Sequence, residues 1–69
     1  MYCTTNGSHV EILEDDGRIV RKLSFRGTVE SAYMSGNDKV VITYTLDNKF
    51  RFSELWDVSG RMIRRTPCR

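Results

Sequence analysis

Apolar and polar residues alternate with a period of two in short runs along the chain, and glycine, asparagine and aspartate separate the runs. Successive side chains of a strand point to opposite faces, so this is the pattern of half-buried antiparallel strands. His9 to Asp15 leads into Asp16-Gly17, a pair favoured in two-residue hairpin turns where both residues take positive φ, and Arg18 to Phe25 returns. Gly27 punctuates, and Thr28 to Ser35 follows with Val29 and Tyr33 expected on one face and Ala32 and Met34 on the other. Beyond a turn at Gly36-Asn37-Asp38, Lys39 to Leu46 is the most strand-like segment, expected at the centre of the sheet. There Val40, Ile42, Tyr44 and Leu46 point inward, Lys39, Thr43 and Thr45 outward, and Val41 covers part of the second face. Asp47-Asn48 turns the chain into Lys49 to Trp56, in which Phe50 and Phe52 alternate with Lys49, Arg51 and Ser53. Ser59-Gly60 closes a last hairpin, Arg61 to Thr66 returns, and Pro67, with no N–H to donate, is expected to end the ladder. The expectation is an all-β, six-stranded antiparallel meander: an N-terminal segment over 1–8, a single β domain over 9–66 and a tail over 67–69. A competing reading makes Ser59 an N-cap and Arg61 to Arg65 a single helical turn.

The chain also matches itself. Glu11 to Lys22 (EILEDDGRIVRK) reads against Glu54 to Arg65 (ELWDVSGRMIRR) at a constant offset of 43 residues, with the first acid, the glycine and two arginines identical. This match, richer in β-branched residues in its first copy, favours strand over helix for Arg61 to Arg65. A fixed offset of about 40 to 45 residues is the period of a four-stranded propeller blade. In strand count and spacing the chain resembles one blade of a WD40-like β-propeller, and Leu55-Trp56-Asp57-Val58-Ser59-Gly60-Arg61 resembles the blade ending in which a Trp-Asp pair precedes a glycine turn. The Gly-His pair usual earlier in such a blade is absent. The resemblance implies a blade with flanking strands, assembled with other chains as a ring or as a smaller sheet-on-sheet oligomer, because one blade alone leaves edges and faces unprotected.

Composition supports that direction. A chain of 69 residues buries only about 60% of its unfolded surface, so support beyond its own core is expected, and two cysteines and one histidine leave oligomerisation as the expected support. Eleven Lys and Arg against nine Asp and Glu give a formal net charge of +2, too small a field to demand a nucleic acid partner. With neither a secretory leader pattern nor an apolar run of membrane-spanning length, the chain reads as a soluble cytoplasmic protein. Asn6-Gly7-Ser8 fits a glycosylation acceptor and is read as a turn.

Candidate chemistry is thin. Lys49, Phe50, Arg51 and Phe52, with Tyr44 on the preceding strand, interleave aromatic and basic residues as single-stranded nucleic acid platforms do, whereas period-two alternation alone makes the phenylalanines a buried face. Arg18, Arg21, Lys22 and Arg26 recur as Arg61, Arg64, Arg65 and Arg69, two related basic patches for an anion or acidic partner, or solvated edge-strand charge. Trp56, the single tryptophan, is expected with Leu55, Phe50, Phe52 and Tyr44 to anchor a core or a subunit interface. Cys3, Cys68 and His9 lack metal-site spacing, and no cofactor or metal is expected. Glu30 and Glu54, the acids within strands, are expected to pair with cross-strand Arg or Lys, not to perform acid or base chemistry, and no enzyme activity is expected. The reading is a homo-oligomeric binding or scaffolding module, with a single-stranded nucleic acid binder and an enzyme with an intersubunit site as its alternatives.

Overall fold

The computed structural model describes residues 1–68. Seven strands follow one another: β1 (Tyr2–Asn6), β2 (His9–Leu13), β3 (Ile19–Ser24), β4 (Thr28–Ser35), β5 (Lys39–Leu46), β6 (Phe50–Asp57) and β7 (Met62–Cys68). They form two antiparallel sheets, β1-β2-β3 and β4-β5-β6-β7, each a simple meander. The all-β expectation holds, and the count of six is corrected to seven. Residues 1–8 supply β1, which pairs with β2 from Tyr2 opposite Leu13 to Asn6 opposite His9, with Gly7 at φ 62° in the turn between them. Arg61 to Arg65 carries no helix, and β7 runs on through Pro67 opposite Phe52. Pro67 is tolerated because β7 is an edge strand, which has one side without a ladder partner. Among the described residues no helix is long and apolar enough to cross a membrane.

Turn chemistry differs from expectation in one place. Glu14 N–H donates to Arg18 O at 2.8 Å, Gly17 N–H donates to Glu14 O at 2.9 Å, and Gly17 alone in this loop has positive φ, at 92°. This is a three-residue hairpin loop ending in a left-handed glycine, not a two-residue turn at Asp16-Gly17. The same bonds recur in the last hairpin: Asp57 N–H to Arg61 O at 2.8 Å and Gly60 N–H to Asp57 O at 2.9 Å, with Gly60 at φ 98°. The two-residue mirror turn falls instead at Asp47-Asn48, both left-handed at 53° and 56°.

Registers carry the repeat further. Leu13 faces Ile19 and Ile12 faces Arg21, leaving Val20 as a bulge; Trp56 faces Met62 and Leu55 faces Arg64, leaving Ile63 as a bulge. Every one of these residues maps onto its counterpart at the 43-residue offset read from the sequence.

Val10, Ile12, Leu23, Val29, Val40, Ile42 and Tyr44 are buried and form one core between the inner faces of the two sheets. A third bulge shapes β4, where Val29 faces Tyr44 and Ser31 faces Thr43 with Glu30 unpaired between them. The extra residue reverses the alternation. Ala32 and Met34 therefore share the core face with Val29, while Tyr33 points out, 58% exposed, which corrects the pairing of Val29 with Tyr33. Val58 N–H donates to Asp38 O and Val29 N–H to Gly7 O, each at 2.9 Å, the second bond tying the sheets together.

Gly27 is fixed by contact and not by φ. A Cβ built there lies 1.9 Å from Thr45 O and 2.7 Å from its carbonyl carbon, both backbone atoms that cannot rotate away. Gly36, by contrast, has open space around it and only a positive φ of 77°. Gly27→Ala is therefore expected to cost about 3 kcal/mol or more and Gly36→Ala about 1 kcal/mol. Thermal unfolding of the two variants by circular dichroism checks the order, and equal midpoints would remove the close approach at Gly27.

Candidate binding cleft

The central side chain of the β4–β7 sheet is a carboxylate. Residues that face each other across an antiparallel pair share one face. Glu54 of β6 faces Ile42 of β5 and Arg65 of β7, while Phe52 faces Tyr44 and Trp56 faces both Val40 and Met62. All of these lie on the core face, and Glu54 is only 2% exposed.

A buried carboxylate is tolerable only when its lone pairs are used. Trp56 Nε1–H donates to Oε1 at 2.9 Å, and Oε2 accepts from Tyr44 Oη–H at 2.5 Å and from Arg65 Nε–H at 2.8 Å. Each donor comes from a position the register dictates: Arg65 directly opposite, Tyr44 on the diagonal, and Trp56 two residues along the same strand. The strand carboxylates do pair with cross-strand cations, Glu54 with Arg65 and Glu30 with Arg51 at 3.2 Å. Glu30 also accepts a hydrogen bond from Thr45 Oγ1.

Around this centre the aromatic rings close up. Phe25, in the β3–β4 connection, is held by its N–H to Ser8 O at 2.8 Å. Its ring lies 4.9 Å from Tyr44 and meets Trp56 edge-on at 6.1 Å. Tyr44 lies 5.9 Å from Phe52, over whose ring the Arg65 guanidinium sits at 5.4 Å, a cation–π contact. Ser24, Phe25, Arg26, Tyr44, Leu46, Glu54, Trp56, Met62 and Arg65 line an open cleft of about 470 Å³. That lies within the range of about 300–1,000 Å³ usual for ligand sites.

Burial pushes the Tyr44 hydroxyl above the usual phenol range, and its bond to Glu54 pushes the same way. The bond to Glu54 also holds Arg65 more firmly protonated. Each oxygen of Glu54 is engaged, so the carboxylate orients rings and a guanidinium and is not presented as a base. Arg65 reaches Glu54 through its Nε, and its side chain lines the cleft.

Of the residues singled out in the sequence, Trp56, Tyr44, Phe52, Glu54, Arg26 and Arg65 gather here. Phe50 sits at the start of β6, 58% exposed, and Leu55 and Arg64 face each other on the outer face of the sheet. Tyr44 being buried, Tyr44, Phe50 and Phe52 do not make one exposed row with Lys49 and Arg51. Arg18 pairs with Asp16 at 2.9 Å, Arg21 lies against Gly60, Lys22 faces Glu11, and Arg61 closes its own turn. The two basic series therefore take different surroundings, and Arg69 lies outside the described residues. Cys3 and Cys68 are free thiols on different sheets, and His9 Nδ1 shares a hydrogen bond with Ser24 Oγ at 3.0 Å. No family model, curated protein or solved structure matches the chain.

Phe25 and Met62 were not anticipated as site residues, whereas Arg26 belongs to the first basic series read from the sequence. Phe25 and Arg26 precede Gly27 in a short connection, where no period assigns a face, and the Ile63 bulge brings Met62 back opposite Trp56.

Removing the acceptor tests the cluster. Glu54→Ala leaves the buried Tyr44 hydroxyl and the half-buried Trp56 N–H without an acceptor and is expected to cost about 2–4 kcal/mol, read by urea unfolding; an unchanged midpoint would show that Glu54 does not organise the sheet. Tyr44 gives a pH signature. The native state holds the phenol proton while the unfolded chain releases it near about pH 10, so the stabilising contribution is complete below that pH and is lost as pH rises through the raised native value. Wild type should lose stability above pH 10 more steeply than Tyr44→Phe, and parallel curves would count against the buried phenol.

Proposed function

We propose that this chain is a homo-oligomeric binding module built from propeller-blade-like sheets, whose cleft takes a small anionic ligand with a flat apolar body. The observation that carries the reading is the engaged Glu54. It fixes Tyr44, Trp56 and Arg65 around an open cleft without presenting a free carboxylate to repel an anion. Arg26 is exposed on the same lining and forms no ion pair among the described residues. With Arg65 it sets two cations against one carboxylate, and guanidinium groups are suited to planar anions. Phe25, Tyr44 and Trp56 supply the apolar walls.

The β4–β7 meander and its repeated last hairpin support the blade-like part of the reading. A small core and several large apolar side chains left in solvent, among them Ile19, Tyr33 and Met62, support assembly. Free Cys3 and Cys68 accord with a cytoplasmic setting. The acid and the phenol of the cleft, Glu54 and Tyr44, are bonded to each other, which supports a binding reading.

Trp56 is the only tryptophan, so its emission reports the cleft directly. Phenylacetate, a ring with one carboxylate, should shift that emission saturably in wild type. Arg26→Ala, which disturbs no buried contact, should weaken the binding by about tenfold, as loss of a charge-assisted bond does. A wild-type protein whose emission ignores phenylacetate up to tens of millimolar would sink the anionic-ligand reading.

A further inference from the structure

The repeated hairpin buries opposite faces in its two copies. In β2 the buried pair is Val10 and Ile12, whose counterparts in β6, Ser53 and Leu55, lie on the outer face. In β6 the inward set is Phe52, Glu54 and Trp56, and Glu11 and Leu13, the counterparts of Glu54 and Trp56, point outward from β2. One face of the first sheet thus packs on the opposite face of the second. A repeating unit stacked in this way leaves two uncovered faces, one at each end, that correspond in register to the two surfaces already joined inside the chain.

Both uncovered faces carry the expected residues. Tyr2, Leu13 and Ile19 form an apolar row across the outer face of the first sheet, with Tyr2 43% and Ile19 59% exposed. The matching row in the second sheet, Val40, Trp56 and Met62, lies on the inner face. At the other end Tyr33, Val41 and Leu55 form a row that continues to Arg64. Its match in the first sheet, Cys3, Ile12 and Arg21, is the row that carries fully buried Ile12.

Charge identifies the occupant. Inside the chain Arg21 reaches across to the glycine of the second loop, its guanidinium carbon 3.2 Å from where a Gly60 Cβ would stand. The equivalent position over Gly17 is empty space, and that loop carries Glu14, Asp15 and Asp16; Asp16 pairs with Arg18 at 2.9 Å and Asp15 with the N-terminal ammonium at 2.5 Å, yet the Asp15 side chain remains 89% exposed and open to a second cation. The counterpart of Arg21 is Arg64, exposed on the uncovered face of the second sheet. A second copy stacked as the two sheets are stacked sets Arg64 over that acidic loop.

From these matches we infer that copies of this chain assemble head to tail, the Tyr33-Val41-Leu55 row of one covering the Tyr2-Leu13-Ile19 row of the next, with Arg64 on the Glu14-Asp15-Asp16 loop. The inference rests on the homo-oligomeric part of the proposed function and names its surfaces. A heterologous contact of this kind closes into a ring or continues as a filament. With two sheets per chain, a ring of about four to eight blades takes about two to four copies.

The two faces can be blocked separately at exposed positions. Ile19→Lys disables one end and Tyr33→Asp the other, and circular dichroism confirms that each variant folds. By size-exclusion chromatography with light scattering, wild type should run as a defined multiple of 8.0 kDa and each variant alone as the 8.0 kDa monomer. Mixed together, the variants should form a one-to-one dimer, because each retains the end that the other lacks. Arg64→Glu, an independent surface change, should raise the concentration needed for assembly by at least about tenfold. A monomeric wild type would overturn both the oligomer and this interface. An oligomer that survives Ile19→Lys and Tyr33→Asp, or a mixture that stays monomeric, would overturn the head-to-tail contact alone and leave a homo-oligomer joined elsewhere.

Discussion

A carboxylate cannot be left alone in the middle of a sheet, and the arrangement of β5, β6 and β7 answers to that constraint. Glu54 is 2% exposed and its Oε1 and Oε2 accept from three side chains on three strands. Slipping either neighbouring strand by one residue would turn Tyr44 or Arg65 to the other face and leave the charge unpaired. The apolar alternation of β5 therefore shares the task of fixing register with one polar cluster. The same bonds hold Tyr44 and Trp56 at fixed angles to Phe25, so the requirement that satisfies Glu54 also shapes the cleft.

Strand existence was legible because period-two alternation survives in β2, β5 and β6, and the cross-strand pairing of Glu54 and Glu30 followed from the ordinary behaviour of strand carboxylates. The depth of Glu54 was not legible. A glutamate between Ser53 and Leu55 reads as a surface residue, and only the placement of Phe52 and Trp56 on its own face shows otherwise. Bulges account for most of the rest. Glu30 adds one residue to β4 and sends Tyr33 outward, an insertion that alternation cannot reveal because Ala32 and Met34 are apolar too. The Asp16-Gly17 pair suggested a two-residue turn, but the ladder closes at Glu14 and Arg18, and the loop takes three residues. β1 escaped notice because Cys3, Thr4, Thr5 and Asn6 are weakly apolar, as suits an edge strand that is mostly exposed.

The self-match in the sequence proved to be a match of hydrogen bonds and registers as well as of letters. Gly17 and Gly60 end equivalent loops, and Val20 and Ile63 are equivalent bulges. Similar letters nevertheless carry different burial. Glu11 and Glu54 hold the same place in the hairpin, yet only Glu54 is buried, because the two sheets present opposite faces to the core between them. Read from sequence alone, the repeat invited the assumption that Arg21 and Arg64, or Lys22 and Arg65, would share a setting. They do not: Arg21 covers a loop, Arg64 faces solvent, and Arg65 closes on a carboxylate.

That asymmetry bears on how so short a chain holds together. Among the described residues seven side chains make up the buried apolar core, while the rows through Leu13 and Leu55 are only half-buried and end in exposed Ile19 and Tyr33. Apolar rows of this kind are costly to leave in water and add little to the stability of a single chain. At β3 and β7 edge pairing is a poor alternative, because β7 carries Pro67 and both strands carry adjacent cations that repel a like edge. Face-to-face stacking suffers neither obstacle, and the chain already contains one such contact between its two sheets. The Leu55 row matches in register the Ile12 row packed inside the chain, and the proposed head-to-tail contact rests on that match.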